Sequence, residues 1–286
     1  MDSKLARRIK YTIRVILAYV IALLFLAPFL WMLISSFKKD IDITASPPKL
    51  FFDPIISNYR NIIQWSGERT GLFRFPVLGC LETSLIVTII ATGIALLVGI
   101  IAGYSLSRFK SKKREWIRIW ILSAVIAPPV VFMVPYFMIA RILGLFDSYT
   151  LLIIASTTIS LPFTIWMMIG FFNDIPKDLE EAAYIDGCSP LKAFLIISLP
   201  LAKPGISAAA TLSFINVWNN LIFPLALTAD RVKTIPLAVQ GFLGWTRIFY
   251  GMMIATGVLA IIPGLVITIF ASKILVGGLT LGAVKG

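Results

Sequence analysis

The residues of this chain best placed for specific chemistry form one run. Glu181-Ala182-Ala183-Tyr184-Ile185-Asp186-Gly187 is continued, after a gap, by Ile197-Ser198-Leu199-Pro200. Glu180 and Glu181 fall close to the start of a short helix, where negative charge is favoured. Asp186-Gly187 is a stop-and-turn signal. Asp174 or Asp178 can cap the helix, with Pro176 near its first turn. Ser189-Pro190 starts a second short helix, which Pro200 and Pro204 break before the next apolar run. The expected shape is a helix–turn–helix on a membrane surface, suited to docking a partner or transmitting force. Covalent chemistry has little to work with. The chain has no histidine, which removes the usual zinc ligand and general base. No Gly-x4-Gly-Lys-Ser/Thr phosphate loop is present. The chain therefore encodes no ATPase site, and no catalytic or metal-ligating residue is assigned.

A second group of polar side chains lies inside apolar runs. Asn216, Trp218, Asn219 and Asn220 fall together, and Tyr136 and Thr164 sit in other runs. Amides, hydroxyls and aromatic faces are what a neutral polar solute needs. The same groups also pair helices with one another, and residue type alone leaves both roles open. No acidic or basic residue falls in the middle of a run, which argues against a carrier built on membrane carboxylates.

These residues must be positioned by membrane helices. Hydrophobic residues make up 58% of the 286-residue chain, with a mean hydropathy of +0.92. Six stretches, 15–37, 83–107, 119–140, 148–173, 204–229 and 248–272, carry no charge. About 20 helical residues cross a hydrocarbon core of roughly 30 Å. The expectation is an all-α polytopic membrane protein with six transmembrane helices. The net charge of +12 reflects Lys and Arg beside the spans rather than a nucleic-acid partner. The cluster from Arg108 to Arg118, with the basic arm at 1–14, places both on the cytoplasmic side. The first span is then 15–37 and is retained rather than cleaved as a signal peptide. Residues 38–80 form an extracytoplasmic loop, either a small packed lobe or irregular. Residues 81–273 hold five further spans and the cytoplasmic loop 174–200, and 274–286 form a cytoplasmic tail. Pro128-Pro129 and Pro135 should kink or unwind the third span, and Pro162 should interrupt the fourth. Cys80 and Cys188 fall on opposite faces and do not pair.

The spacing Glu-Ala-Ala, three residues, Gly, nine residues, Ile-x-Leu-Pro, met here from Glu181 to Pro200, closely resembles the conserved cytoplasmic loop of bacterial ABC importer permeases. Further stretches are similar to the carbohydrate importers, in particular to the smaller permease of the maltose-transporter type. They are Ala102-Gly103-Tyr104-Ser105-Leu106-Ser107-Arg108-Phe109, Leu143-Gly144-Leu145, Phe171 to Lys177, Val217-Trp218-Asn219-Asn220 and Gly277 to Gly286. Asn220 stands where many relatives carry an acidic residue.

The resemblance implies a type I ABC importer permease fold in the bacterial cytoplasmic (inner) membrane, with both termini cytoplasmic. It implies a second permease subunit, two cytoplasmic ATPase subunits that bind ATP and Mg, and an extracytoplasmic solute-binding protein. Glu181, Ala182, Ala183, Asp186, Gly187, Leu199 and Pro200 would form the ATPase-coupling surface. Glu181 would make the polar contact and Gly187 the turn. This chain would bind no cofactor and perform no catalysis. Rival readings are an ABC permease for a glycerol-phosphate ester or oligopeptide, an ion-coupled secondary carrier, and a non-transporting assembly protein.

Overall fold

The computed structural model describes residues 3–64, 76–109, 112–244 and 247–282. Trp65, Lys110 and the last residues of the tail, 283–286, lie outside the described residues. Among the described residues all regular structure is helical, with one isolated bridge between Leu243 and Ile248. The chain divides into two compact units. One comprises Met1–Trp65 with Val239–Leu259, the other Ser66–Ala238 with Ala260–Gly286.

In the first unit, α1 (Ser3–Ser35) runs unbroken through Pro28, and its apolar side chains are exposed along its length. Two short helices follow, α2 (Asp40–Ile43) and α3 (Ser57–Ile63). They belong to an ordered lobe rather than an irregular loop. Asn58 Nδ2 donates to the carbonyls of Ser36 and Lys38 at 2.8 and 2.9 Å. Lys38 is buried, donates to Lys49 O at 2.8 Å, and lies over the rings of Trp31 and Phe52. Asp40 accepts the Gly251 N–H at 2.9 Å.

The second unit is built on α4 (Val77–Arg108), which starts earlier than the charge-free run and carries Cys80 and Glu82. Then come α5 (Lys112–Ile126), α6 (Pro129–Ile142) and α7 (Tyr149–Asn173). Pro128 and Pro129 break the third span, so that α5 and α6 meet at 92°. Pro162, by contrast, does not interrupt α7. A proline removes one donor, and membrane helices tolerate this when neighbours satisfy the freed backbone. α4 and α7 form the most extensive helix pair. Gly99 and Gly103 permit it, because a Cβ at either would fall 2.6 or 2.5 Å from Thr164 or Met168.

The remaining helices are α8 (Asp178–Ile185), α9 (Pro190–Ala193), a π-turn over Phe194–Ser198, α10 (Leu199–Leu201), α11 (Lys203–Trp218), α12 (Ile222–Leu227), α13 (Ile235–Gly241) and α14 (Tyr250–Gly282). α14 continues past residue 273, so the first part of the expected tail is helical. Helices α1, α4, α7 and α14 are each long and apolar enough to span a membrane. The bent pairs, α5 with α6 and the 190–201 segment with α11, raise the number to six when each is one span.

Candidate coupling surface and solute-facing span

The helix–turn–helix forms, with different caps from those expected. Asp174 closes α7, and α8 begins at Asp178 after Lys177, with no side-chain cap. Asp178, Glu180 and Glu181 still occupy the first turn, where they complement the helix dipole. At the other end Asp186 is the cap and Gly187 takes φ +83°. The N–H groups of Gly187 and Cys188 return to Tyr184 O and Ala183 O at 3.1 and 2.9 Å, the left-handed glycine stop. Ser189 then caps α9, accepting the Lys192 N–H at 3.3 Å. The second arm breaks at Ala202, between Pro200 and Pro204 as expected. That arm passes through the π-turn and α10, then bends by 70° into α11.

This geometry sorts the predicted coupling residues. Glu181, Ala182, Asp186, Gly187 and Pro200 are exposed, Leu199 is half-buried, and Ala183 is buried. Ile185 and Leu191 are also exposed. The outward face therefore offers the carboxylates of Glu181 and Asp186 together with exposed apolar side chains, a surface that suits a protein partner.

The inward face belongs to Glu180, which sequence reasoning treated only as a helix-start charge. Its carboxylate is buried and accepts from Arg108 Nε at 2.8 Å, Tyr104 OH at 3.0 Å and Ser198 Oγ. Arg108 Nη2 lies 2.8 Å from the same carboxylate, and the two side chains are only 8% and 4% exposed. Arg108 also donates to Phe172 O and Ile175 O at the end of α7. Tyr104 packs edge-on to Phe172 and tilted against Phe194. One carboxylate thus ties α8 to the ends of α4 and α7 and to the π-turn. A buried pair of this kind is costly to break from one side, about 3–5 kcal/mol. The signal in the sequence was phase. Glu180 lies three residues before buried Ala183, on the same helix face, and Glu181 does not.

The fifth span separates its polar residues. Trp218 is buried, stacks on Phe214 at 5.6 Å, and donates its indole N–H to Ala260 O at 3.0 Å. Asn219 caps α11, and Asn220 Oδ1 accepts the Phe223 N–H at 3.1 Å to start α12. Thr164 is fully buried and bonded to Ser160 O and Ser213 Oγ, a helix–helix contact. Tyr136 is half-buried, bonded to Thr158 and edge-on to Phe223. Only Asn216 and Asn219 are exposed. They are three apart and share a face, so two amides remain exposed on one side of the span.

A second buried carboxylate, also missed, closes the opposite ends of the helices. Asp147 takes φ +57° in the turn before α7. Its carboxylate accepts the N–H groups of Asp230, Arg231 and Val232 at 2.8, 2.8 and 3.1 Å, and its own N–H donates to Leu227 O. Burial alone would raise its pKa, but the backbone N–H groups outweigh burial and hold the carboxyl below its ordinary value.

Comparison with known proteins agrees with this architecture. Residues 95–277 match the model of the binding-protein-dependent transport system inner membrane component family. The sulfoquinovosyl glycerol transport system permease protein SmoH of Agrobacterium fabrum is 32% identical, over 96% of this chain and 94% of that protein. The trehalose/maltose transport system permease protein MalG of Thermococcus litoralis is 31% identical, over 97% and 98% respectively. Among solved structures, a bacterial ABC transporter involved in the import of the acidic polysaccharide alginate shares the fold. It matches at a TM-score of 0.68 and 23% identity, covering 96% of this chain and 98% of that chain. With the family match spanning most of the chain, and the spaced loop motif folded as a helix–turn–helix within it, the chain belongs to the binding-protein-dependent transport system inner membrane components, the permease subunits of ABC importers.

Proposed function

We propose that this permease is half of the translocation pathway of an ATP-driven carbohydrate importer, coupled to a separate ATPase subunit through residues 174–200. The observation that carries this reading is the two-sided α8. Its outer face presents Glu181, Asp186 and the exposed apolar Ile185, while Glu180 on its inner face is bonded to α4 and the π-turn and, through Arg108, reaches the end of α7. A partner that moves α8 therefore moves the spans. The chain itself does no covalent chemistry. ATP and Mg are held by two partner ATPases at the cytoplasmic side, where both termini also lie. A second permease completes the pathway and an extracytoplasmic solute-binding protein delivers the sugar. ATP drives transport only by favouring one arrangement of the spans over the other. Exposed Asn216 and Asn219 are the amides assigned to solute hydroxyls. The sugar class is supported by the transport systems named for the relatives.

Affinity purification from native membranes in mild detergent, followed by mass spectrometry and an ATPase assay, tests the reading. Recovery of a second permease and an ATP-hydrolysing subunit is expected. Recovery of the chain alone, without ATPase activity, would turn the reading toward an ion-coupled carrier.

A further inference from the structure

Helices α5 and α7 are in contact and flank a groove of about 410 Å³ that none of the roles above uses. Its lining residues nearest the helix ends are polar: Glu115 and Arg118 near the start of α5, Asn173 at the end of α7. Those farther into the helices, Ile119, Leu122 and Trp166, are apolar or amphipathic. The charges at the polar end do not balance. Glu115 Oε1 is shared by Arg114 at 3.0 Å and Arg118 at 3.5 Å, one carboxylate against two guanidinium groups. Arg118 Nε is buried and has no hydrogen-bond partner among the described residues. A buried N–H left unmade is costly, so the rim is built to accept an acceptor oxygen with negative charge. Gly170 keeps the groove open, since a Cβ there meets nothing within 4 Å.

We propose that this groove binds an anionic phospholipid, its phosphate held by Arg118 and one acyl chain lying along Ile119, Leu122 and Trp166. The ends of membrane helices sit at headgroup depth, where Arg meets phosphate and Trp is enriched. A small soluble anion would gain from the charged rim but nothing from the apolar wall. A neutral sugar would leave the excess charge unmatched. The assignment rests on these helices crossing the bilayer. Which leaflet supplies the lipid follows from the orientation proposed above, but the test below needs neither transport nor ATP, so it can fail while the importer reading stands.

The test uses the full chain, purified with its accompanying subunits and equilibrated with equal amounts of phosphatidylglycerol and phosphatidylcholine. Native mass spectrometry then reads the retained lipid. Wild type should retain phosphatidylglycerol preferentially, and millimolar inorganic phosphate should not displace it. Arg118→Gln should lower that retention roughly tenfold, the size of one charge-assisted hydrogen bond, and leave phosphatidylcholine unchanged. Gly170→Leu adds a side chain to the groove at a position where the Cβ itself meets no atom, and should do the same. Glu115→Gln removes the competing carboxylate and should raise retention. Equal retention of the two lipids, or retention indifferent to all three variants, would overturn the proposal. Displacement by inorganic phosphate would overturn it in favour of a soluble-anion site. Loss of a subunit from Gly170→Leu, with lipid unchanged in Arg118→Gln, would overturn it in favour of a groove covered by a partner chain.

Discussion

Glu180 and Asp147 are both buried carboxylates that tie a helix end to a segment far away in sequence, yet they are solved in opposite ways. Glu180 is held by side chains, from Arg108, Tyr104 and Ser198. Asp147 is held by three backbone N–H groups of the 230–232 turn. A side-chain clamp joins particular residues on three separate segments, and Arg108 extends it to a backbone carbonyl of α7, so its strength depends on each partner and a displacement of one is felt by the others. A backbone clamp fixes the path of a loop whatever side chains that loop carries. The first suits the end of the molecule where a partner is proposed to push. The second suits an end that has only to stay closed.

The largest expected effect comes from breaking the side-chain clamp on one side. Glu180→Gln leaves Arg108 buried without its counter-charge and should destabilise the chain by about 3–5 kcal/mol, seen as a lowered unfolding temperature in detergent. Arg108→Met with Glu180→Leu removes both charges and should recover most of that loss. No recovery would mean that the pair is not the linking element. Asp147→Asn comes next, at about 1–3 kcal/mol, because a neutral amide makes weaker bonds to the same N–H groups. By contrast, substitution of Arg231 by Ala should cost little, since only its backbone takes part. A large effect there would erase the distinction between the two clamps.

The pH dependence sharpens the same contrast. The Asp147 carboxyl titrates below its ordinary value in the folded chain. Its contribution is therefore present above the unfolded pKa of about 3.9 and is lost as the pH falls through the lower, folded value. Thermal unfolding from pH 7 downward should show this acid loss only below about pH 4, and Asp147→Asn should abolish it. Gly187→Leu is smaller still. Open space surrounds the position, so the cost is the left-handed backbone alone, about 1–2 kcal/mol. Gly187→Asn should cost less, as measured by the same unfolding assay. Glu181→Lys is exposed and should cost only its interaction with the helix dipole, about 1 kcal/mol.

The sequence disclosed features that depend on local composition. Charge-free runs marked the membrane-spanning segments because a bilayer tolerates few charges. Asp186-Gly187 announced a left-handed stop, and Pro128-Pro129 a broken span, because both act on their own backbone. Pro162 misled for the same reason in reverse, since a lost donor inside a packed helix can be absorbed by its surroundings. Which of two adjacent glutamates faces inward was not visible by type: it depends on helical phase with Ala183 and on Arg108 at the end of another helix. Trp218 and Thr164 suited either a solute or a helix contact by type, and their partners, Ala260 O and Ser213, decide for the helix contact. Asn216 and Asn219 have no such partner among the described residues, and both stay exposed.

In the proposed mechanism α8 is a two-sided lever, with an exposed face that meets an ATPase. ATP-driven uptake by the reconstituted permease complex carrying Glu181→Lys, with hydrolysis measured in the same vesicles, tests it most directly. The expected result is a stable, membrane-inserted chain in which uptake falls sharply because the ATPase no longer docks or no longer drives the spans. Normal assembly with normal uptake would contradict it.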